Sequence, residues 1–96
     1  MPQRLPRNPT HPGEMLLEEF LKPMGLTQVA FAHHISVSFK RINEIANGKR
    51  SISPETAWLF SQALGTSPQF WMNLQTTYDL VHRRTERRVG KIKTSV

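Results

Sequence analysis

Gln28 to Asn47 reads QVAFAHHISVSFKRINEIAN, and the reading of this stretch decides the fold. Its residues predict two short helices joined by a tight turn. Counting Gln28 as the first position, small Ala32 is fifth and the turn centres on Ser36. Ile35, Val37, Ile42 and Ile45 fall where two crossing helices bury side chains, and Ala32 lets the helices approach closely. The second helix presents Phe39, Lys40, Asn43, Glu44 and Asn47 outward. Together these form a helix-turn-helix, whose second helix normally enters the DNA major groove. The same apolar pattern fits any two packed core helices. The fifth-position Ala, the hydrophobic bracket around the turn and the Lys40-Arg41 pair favour the DNA-binding reading. One departure stands out. The ninth position, where a positive φ favours Gly, is Ser36, so a strained turn is expected.

The outward face offers specific chemistry. Lys40 can donate to guanine O6 and N7, Asn43 or Asn47 can read adenine, and Phe39 can pack on a thymine methyl. Glu44 would repel phosphate, so it either accepts from cytosine N4 or orients a neighbouring Lys or Arg. Ser38 caps this helix and Gly48 ends it. Gln28, in the first turn of the preceding helix, can reach a phosphate with its amide. Lys49 and Arg50 in the loop beyond can grip the sugar-phosphate strand; an ordinary solvated loop is the alternative. His33 and His34 point about 100° apart on a helix and lack further ligands at suitable spacing, so no metal site is expected.

Around this core, Pro12 suits the first turn of a helix whose apolar stripe is Leu16, Leu17, Phe20 and Leu21. Pro23 and Gly25 end it. Glu18 and Glu19 read as exposed charges, and Leu26 can pack down onto the core. Thr27 caps the first helix of the motif. Ser53-Pro54-Glu55 opens a fourth helix with Ala57, Phe60, Ser61 and Leu64 inward, Trp58 bordering that stripe and Leu59 out of phase. Ser67-Pro68 opens a fifth, with Phe70, Trp71, Leu74, Tyr78 and Val81 as its stripe. The excess width of this last stripe, with Leu59 and Met72, could supply a dimer surface. The expected fold is all-α: a five-helix repressor-like domain over residues 11–82. Residues 1–10 read as a flexible arm and residues 83–96 as a basic tail.

Ninety-six residues suit one small core. The absence of cysteine excludes disulfides and thiolate metal sites and fits the cytoplasm. No apolar run reaches membrane-spanning length, and the polar, Pro-rich start does not read as a signal peptide. The formal net charge is +6, which favours polyanionic partners. That charge is uneven: residues 83–96 carry six Lys/Arg against one Glu, whereas residues 11–26 carry three Glu and one Lys. An enzyme is disfavoured, because no Cys nucleophile, Gly-rich phosphate loop or Ser-His-Asp set is present, and no cofactor is implied.

HPGEMLLEEFLKPMGLTQ, RINEIANGKRSIS and ETAWLFSQALGTSPQFWMNLQTTYDL together resemble the HigA-type antitoxins of bacteria, over roughly residues 11–80. The resemblance implies a homodimer that binds double-stranded operator DNA at its own promoter, and a RelE-like mRNA-cleaving toxin as protein partner. Carried to this sequence, it implies DNA-reading positions at Gln28, Ser38, Phe39, Lys40, Asn43 and Glu44, with Lys49 and Arg50 on phosphate. A stand-alone repressor of the same fold, without a toxin, is the alternative. A small mRNA-cleaving toxin must be basic to hold RNA, and two net-positive proteins do not attract at long range, so a toxin contact should use apolar surface and local acidic groups such as Glu14, Glu18 and Glu19.

Overall fold

His11 starts the first helix. Its Nδ1 accepts from the Gly13 N–H at 2.9 Å, and Pro12 occupies the first turn, where no donor is needed. The helix runs without a break through Pro12–Met15, a π-helical stretch Leu16–Leu21, and Lys22–Met24. Pro23 accounts for the π register. It cannot donate to the Glu19 carbonyl and its ring would crowd that oxygen, so the turn widens and the Lys22 N–H reaches Leu17 O instead. Leu16 and Leu21, five residues apart, are consequently both buried. Pro23 therefore bends the hydrogen-bond register without ending the helix. Gly25, left-handed at φ 68°, ends it, and the Leu26 N–H closes back on Leu21 O at 2.9 Å.

Four further helices follow in the computed structural model, which describes residues 5–93: Gln28–His34, Phe39–Ala46, Pro54–Leu64 and Pro68–His82. The fold is all-helical with five helices among the described residues, as the sequence predicts. Each of the last four begins with a hydroxyl cap. Thr27, Ser38, Ser53 and Ser67 accept from the backbone N–H three residues ahead, at 3.0–3.2 Å. The tight turn of the motif is held by Val37 N–H to Ala32 O at 2.9 Å, with Ser36 at φ 56°. A non-Gly residue there costs about 1–2 kcal/mol, so the expected strain is present.

The core is aromatic at its centre. Trp71 is fully buried and meets Phe60 and Phe70 edge-on at 5.1 Å in each case, with Phe20 at 5.4 Å. Its ring N–H is satisfied by Thr66 Oγ1 at 2.7 Å, so the largest side chain is buried without a stranded donor. Ala32, Ile42 and Ile45 are buried at the crossing of the second and third helices. Besides Pro23 as a helix end, three sequence expectations need correction. Leu26 remains 38% exposed and does not pack down, because the left-handed turn at Gly25 carries it to the surface. Trp58, expected at the border of the inward stripe, is 57% exposed, while Leu59, expected to be exposed, is half-buried. Residues 1–4 of the expected arm and 94–96 of the expected tail lie outside the described residues.

The N-terminus of the first helix abuts the third helix, backbone against backbone. A Cβ at Gly13 would overlap the Ile45 carbonyl and crowd the Ala46 Cα at 2.9 Å. Backbone of a buried helix cannot give way as a side-chain tip can. Gly13→Ala should therefore cost about 1–3 kcal/mol, the range for overpacking a tight contact. Thermal unfolding would show it as a fall of roughly 4–8 °C per kcal/mol in a domain of this size. An unchanged midpoint would mean that the two helices separate easily.

His11 gives the fold a pH dependence. Burial lowers its pKa from the ordinary 6.5, against the opposing carboxylates of Asp79 and Glu14. The folded state thus favours the neutral ring, which is also the form whose Nδ1 can accept the capping bond. A lowered folded pKa gives stability that is fully present above about pH 6.5 and is lost as pH falls through the folded value. His11→Asn retains a capping oxygen without titrating. Denaturant midpoints at pH 7.5 and 5 should show a larger acid-induced loss for the wild type than for this variant.

Candidate nucleic-acid interface

The third helix exposes its N-terminal end. Ser38, Phe39 and Lys40 are exposed, whereas Ile42 and Ile45 on the opposite side are fully buried. This division follows from the sequence period: apolar residues at three-residue spacing face the core, and the intervening polar residues face out. Phe39 is 48% exposed, a large apolar ring held at the surface beside a lysine.

Further along, the outward residues are tied together. The Asn43 Nδ2 donates to Gln28 Oε1 at 3.0 Å, and the Asn47 Nδ2 donates to Asn43 Oδ1 at 3.2 Å. A chain of three amides therefore links the first turn of the second helix to the end of the third. With its oxygen engaged, Gln28 keeps its amide nitrogen as the available donor. Gln28, Asn43 and Glu44 are half-buried, so these side chains are less open than the sequence alone suggests.

Of the two roles open to Glu44, the structure shows an ion pair. Its Oε1 lies 3.0 Å from Arg50 Nε. The terminal nitrogens of Arg50 remain free to donate outward, and the carboxylate that would repel phosphate is neutralised beside it. Arg41 lies 3.6 Å from Glu55, a looser pair. Ser38, Lys40, Arg41, Glu44 and Arg50 border a polar concavity of about 400 Å³ at the head of the helix. Lys49 is exposed in the adjoining loop, where its N–H closes the third helix on Glu44 O at 2.8 Å and Gly48 takes φ 73°. All eight predicted site residues thus lie on the second helix, the third helix or the loop after it.

The loop is fixed from behind by a residue the sequence reading did not single out. Gln75, only 4% exposed, accepts the Ile52 N–H at 2.7 Å and donates to Asp79 Oδ1 at 3.0 Å. The available signal was a polar residue four positions after Trp71, on the buried side of the fifth helix. His33 and His34 are both exposed, and no group of three or more His, Cys, Asp or Glu suited to a metal occurs among the described residues. No helix among them is long and apolar enough to cross a membrane.

The helix-turn-helix family model matches residues 17–71. Virulence-associated protein I of Dichelobacter nodosus is 50% identical over 70 residues, covering 73% of this chain, which spans 65% of that relative's length. Antitoxin HigA-1 of Vibrio cholerae is 40% identical over 74 residues, covering 77% of this chain and 70% of the relative. The Pseudomonas aeruginosa antitoxin HigA, solved with the higBA promoter, superposes with a TM-score of 0.77 at 39% identity, over 79% of this chain and 83% of that one. The exposed head of the third helix and these likenesses agree: the chain belongs to the helix-turn-helix family of the Xre type, among DNA-binding antitoxins and repressors similar to HigA rather than enzymes.

Proposed function

We propose that this protein is a homodimeric, operator-binding antitoxin of the cytoplasm that represses its own promoter and neutralises a RelE-like mRNA-cleaving toxin. The observation that carries the DNA-binding part is the open head of the third helix, with Ser38, Phe39 and Lys40 exposed above the tied amides of Gln28, Asn43 and Asn47. The helix has eight residues, so one copy spans few base pairs. Two copies related by a two-fold axis would read successive major grooves about 34 Å apart, which makes an inverted repeat the natural target. The likeness to a HigA protein solved with promoter DNA supports this reading.

Within that reading the roles divide by chemistry. Lys40 and Phe39 face base edges, Ser38 and Gln28 offer donors to the strand, and Asn43 and Glu44 set their neighbours' positions. Lys49 and Arg50 hold phosphate. Lys40→Ala should relax discrimination at one position in each half-site, at about 1–3 kcal/mol per good base contact. Lys49→Ala or Arg50→Ala should weaken all duplexes alike and flatten the salt dependence. Competition binding against a panel of promoter variants separates the two; equal weakening at every position by Lys40→Ala would place Lys40 on phosphate.

The toxin-binding part rests on the likeness to HigA antitoxins and on charge. Glu14, Glu18 and Glu19 are exposed on the first helix, away in sequence from the head of the third. Glu18 is paired with Lys22 at 2.8 Å, an exposed bond that a cationic partner can replace at little cost. That separation in sequence would let operator and toxin be held together. Charge reversal at Glu18 and Glu19 should lower affinity for the toxin encoded beside this gene roughly tenfold or more, with operator affinity nearly unchanged. Unaltered protection in a co-expression growth assay would remove the first helix from the contact.

A further inference from the structure

The cations of this chain are divided very unequally between those already engaged and those that are free. The whole sequence has thirteen Lys/Arg and seven Asp/Glu; from residue 83 onward there are six and one, which leaves seven and six before it. Residues 1–82 are therefore nearly neutral, at +1, and residues 83–96 hold +5 of the +6. Within the helical body, three cations are engaged among the described residues: Lys22 with Glu18, Arg41 with Glu55 and Arg50 with Glu44. Lys40 and Lys49 in the body, and Arg7 ahead of the first helix, are the described cations before residue 83 outside these pairs. After His82 the chain has no regular secondary structure through residue 93, and Arg83, Arg84, Arg87, Arg88, Lys91 and Lys93 are all exposed.

The place where this segment leaves the fold matters as much as its charge. His82 stacks on Tyr78 at 4.2 Å, Tyr78 meets His11 edge-on at 4.8 Å, and the His11 ring lies beside Gly48, 3.9 Å from where a Cβ would stand. Gly48 opens the loop of Lys49 and Arg50. The segment thus departs on the side of the phosphate-gripping loop, three rings away from it. Ten residues in extended form span roughly 33–36 Å, enough to follow a duplex beyond one half-site.

We propose that the segment from Arg84 to Lys93 is a second, sequence-independent DNA-binding element, which lies along the phosphates flanking the half-site and supplies most of the electrostatic affinity. This rests on the operator-binding reading for its biological setting, but not for its physics. Neutralising phosphates releases counterions, and the slope of log affinity against log salt is about −0.9 per phosphate contacted. The body offers few free cations for that purpose. Four contacts from the segment would change affinity about a hundredfold over a fourfold change in salt.

The test uses the full chain with Arg84, Arg87, Arg88, Lys91 and Lys93 each changed to Gln, and a labelled random-sequence duplex of about 24 base pairs. The substitutions lie beyond the last helix, and an unchanged thermal midpoint checks that the body is intact. Between about 50 and 200 mM salt, the slope should shrink by about 3–4 and affinity at the low end should fall more than tenfold. Lys49→Gln alone should change the slope by about 1. On a promoter duplex the variant should keep, or increase, its preference over random sequence. An unchanged slope would overturn the proposal, as would a variant that loses single-stranded RNA binding while duplex binding stays the same. Failure of the wild type to prefer its promoter would instead sink the operator-binding reading, since the random duplex is blind to sequence.

Discussion

The contact on which the geometry of this protein turns is made by backbone alone. Gly13, at the start of the first helix, lies against the Ile45 carbonyl and the Ala46 Cα of the third. Helices that meet through side chains can shift by repacking, but a backbone contact has one distance of closest approach. The orientation of the third helix is therefore set at its C-terminal end, close to Gly48. Its other end is set by Ala32 and Ile42 in the core, so the helix is fixed at two points and its exposed head has little freedom. The cap at His11 holds Gly13 in place, and Tyr78 closes over the same imidazole. Several otherwise unrelated residues therefore serve one alignment.

A second alignment runs through the fifth helix. Trp71 sits among Phe20, Phe60 and Phe70, and one turn later Gln75 reaches out of this apolar cluster to the Ile52 N–H. A buried amide with both ends bonded is a strong positional constraint, because a shift would strand a donor or acceptor away from water. The segment bearing Lys49 and Arg50 is consequently fastened at Gly48 by the turn and at Ile52 by Gln75, and its charged side chains project from a rigid arc. On the operator-binding reading, that rigidity lowers the entropic cost of phosphate contact.

Local chemistry was the most legible part of the sequence. Thr27, Ser38, Ser53 and Ser67 each stand before an apolar run, and each makes the backbone cap that its position implies. Ser36 was readable as a strained turn because the spacing from Ala32 fixes where the left-handed residue must fall. Other features depend on facts that no local pattern contains. The Gly13 contact joins residues more than thirty positions apart, and the π register of Leu16–Leu21 violates the 3.6-residue period on which stripe reading rests. Trp58 looked like a border residue by hydrophobicity, but it and Leu59 lie at similar angles from the buried stripe, and only the tertiary surroundings leave Trp58 exposed and Leu59 half-buried. At the site, the outward residues of the third helix could be named from sequence. Their bonds to one another could not, because Glu44 had two chemically sensible partners and only the folded loop brings Arg50 to it.

Those bonds change how the DNA-binding face would work. Gln28, Asn43 and Asn47 share hydrogen bonds, and Glu44 is committed to Arg50, so the C-terminal half of the outward surface is already occupied with itself. Groups that satisfy one another before contact cannot each be assigned an independent base, and changes among them are coupled rather than additive. Glu44 is anchored through Oε1 by a charge-assisted bond to Arg50, which leaves only Oε2 uncommitted and makes its positioning role the stronger one. Ser38, Phe39 and Lys40 have no such commitments beyond the Ser38 cap. On the operator-binding reading, discrimination between bases would be concentrated in the first turn of the helix, while the remainder of the face would hold that turn at a fixed height and angle.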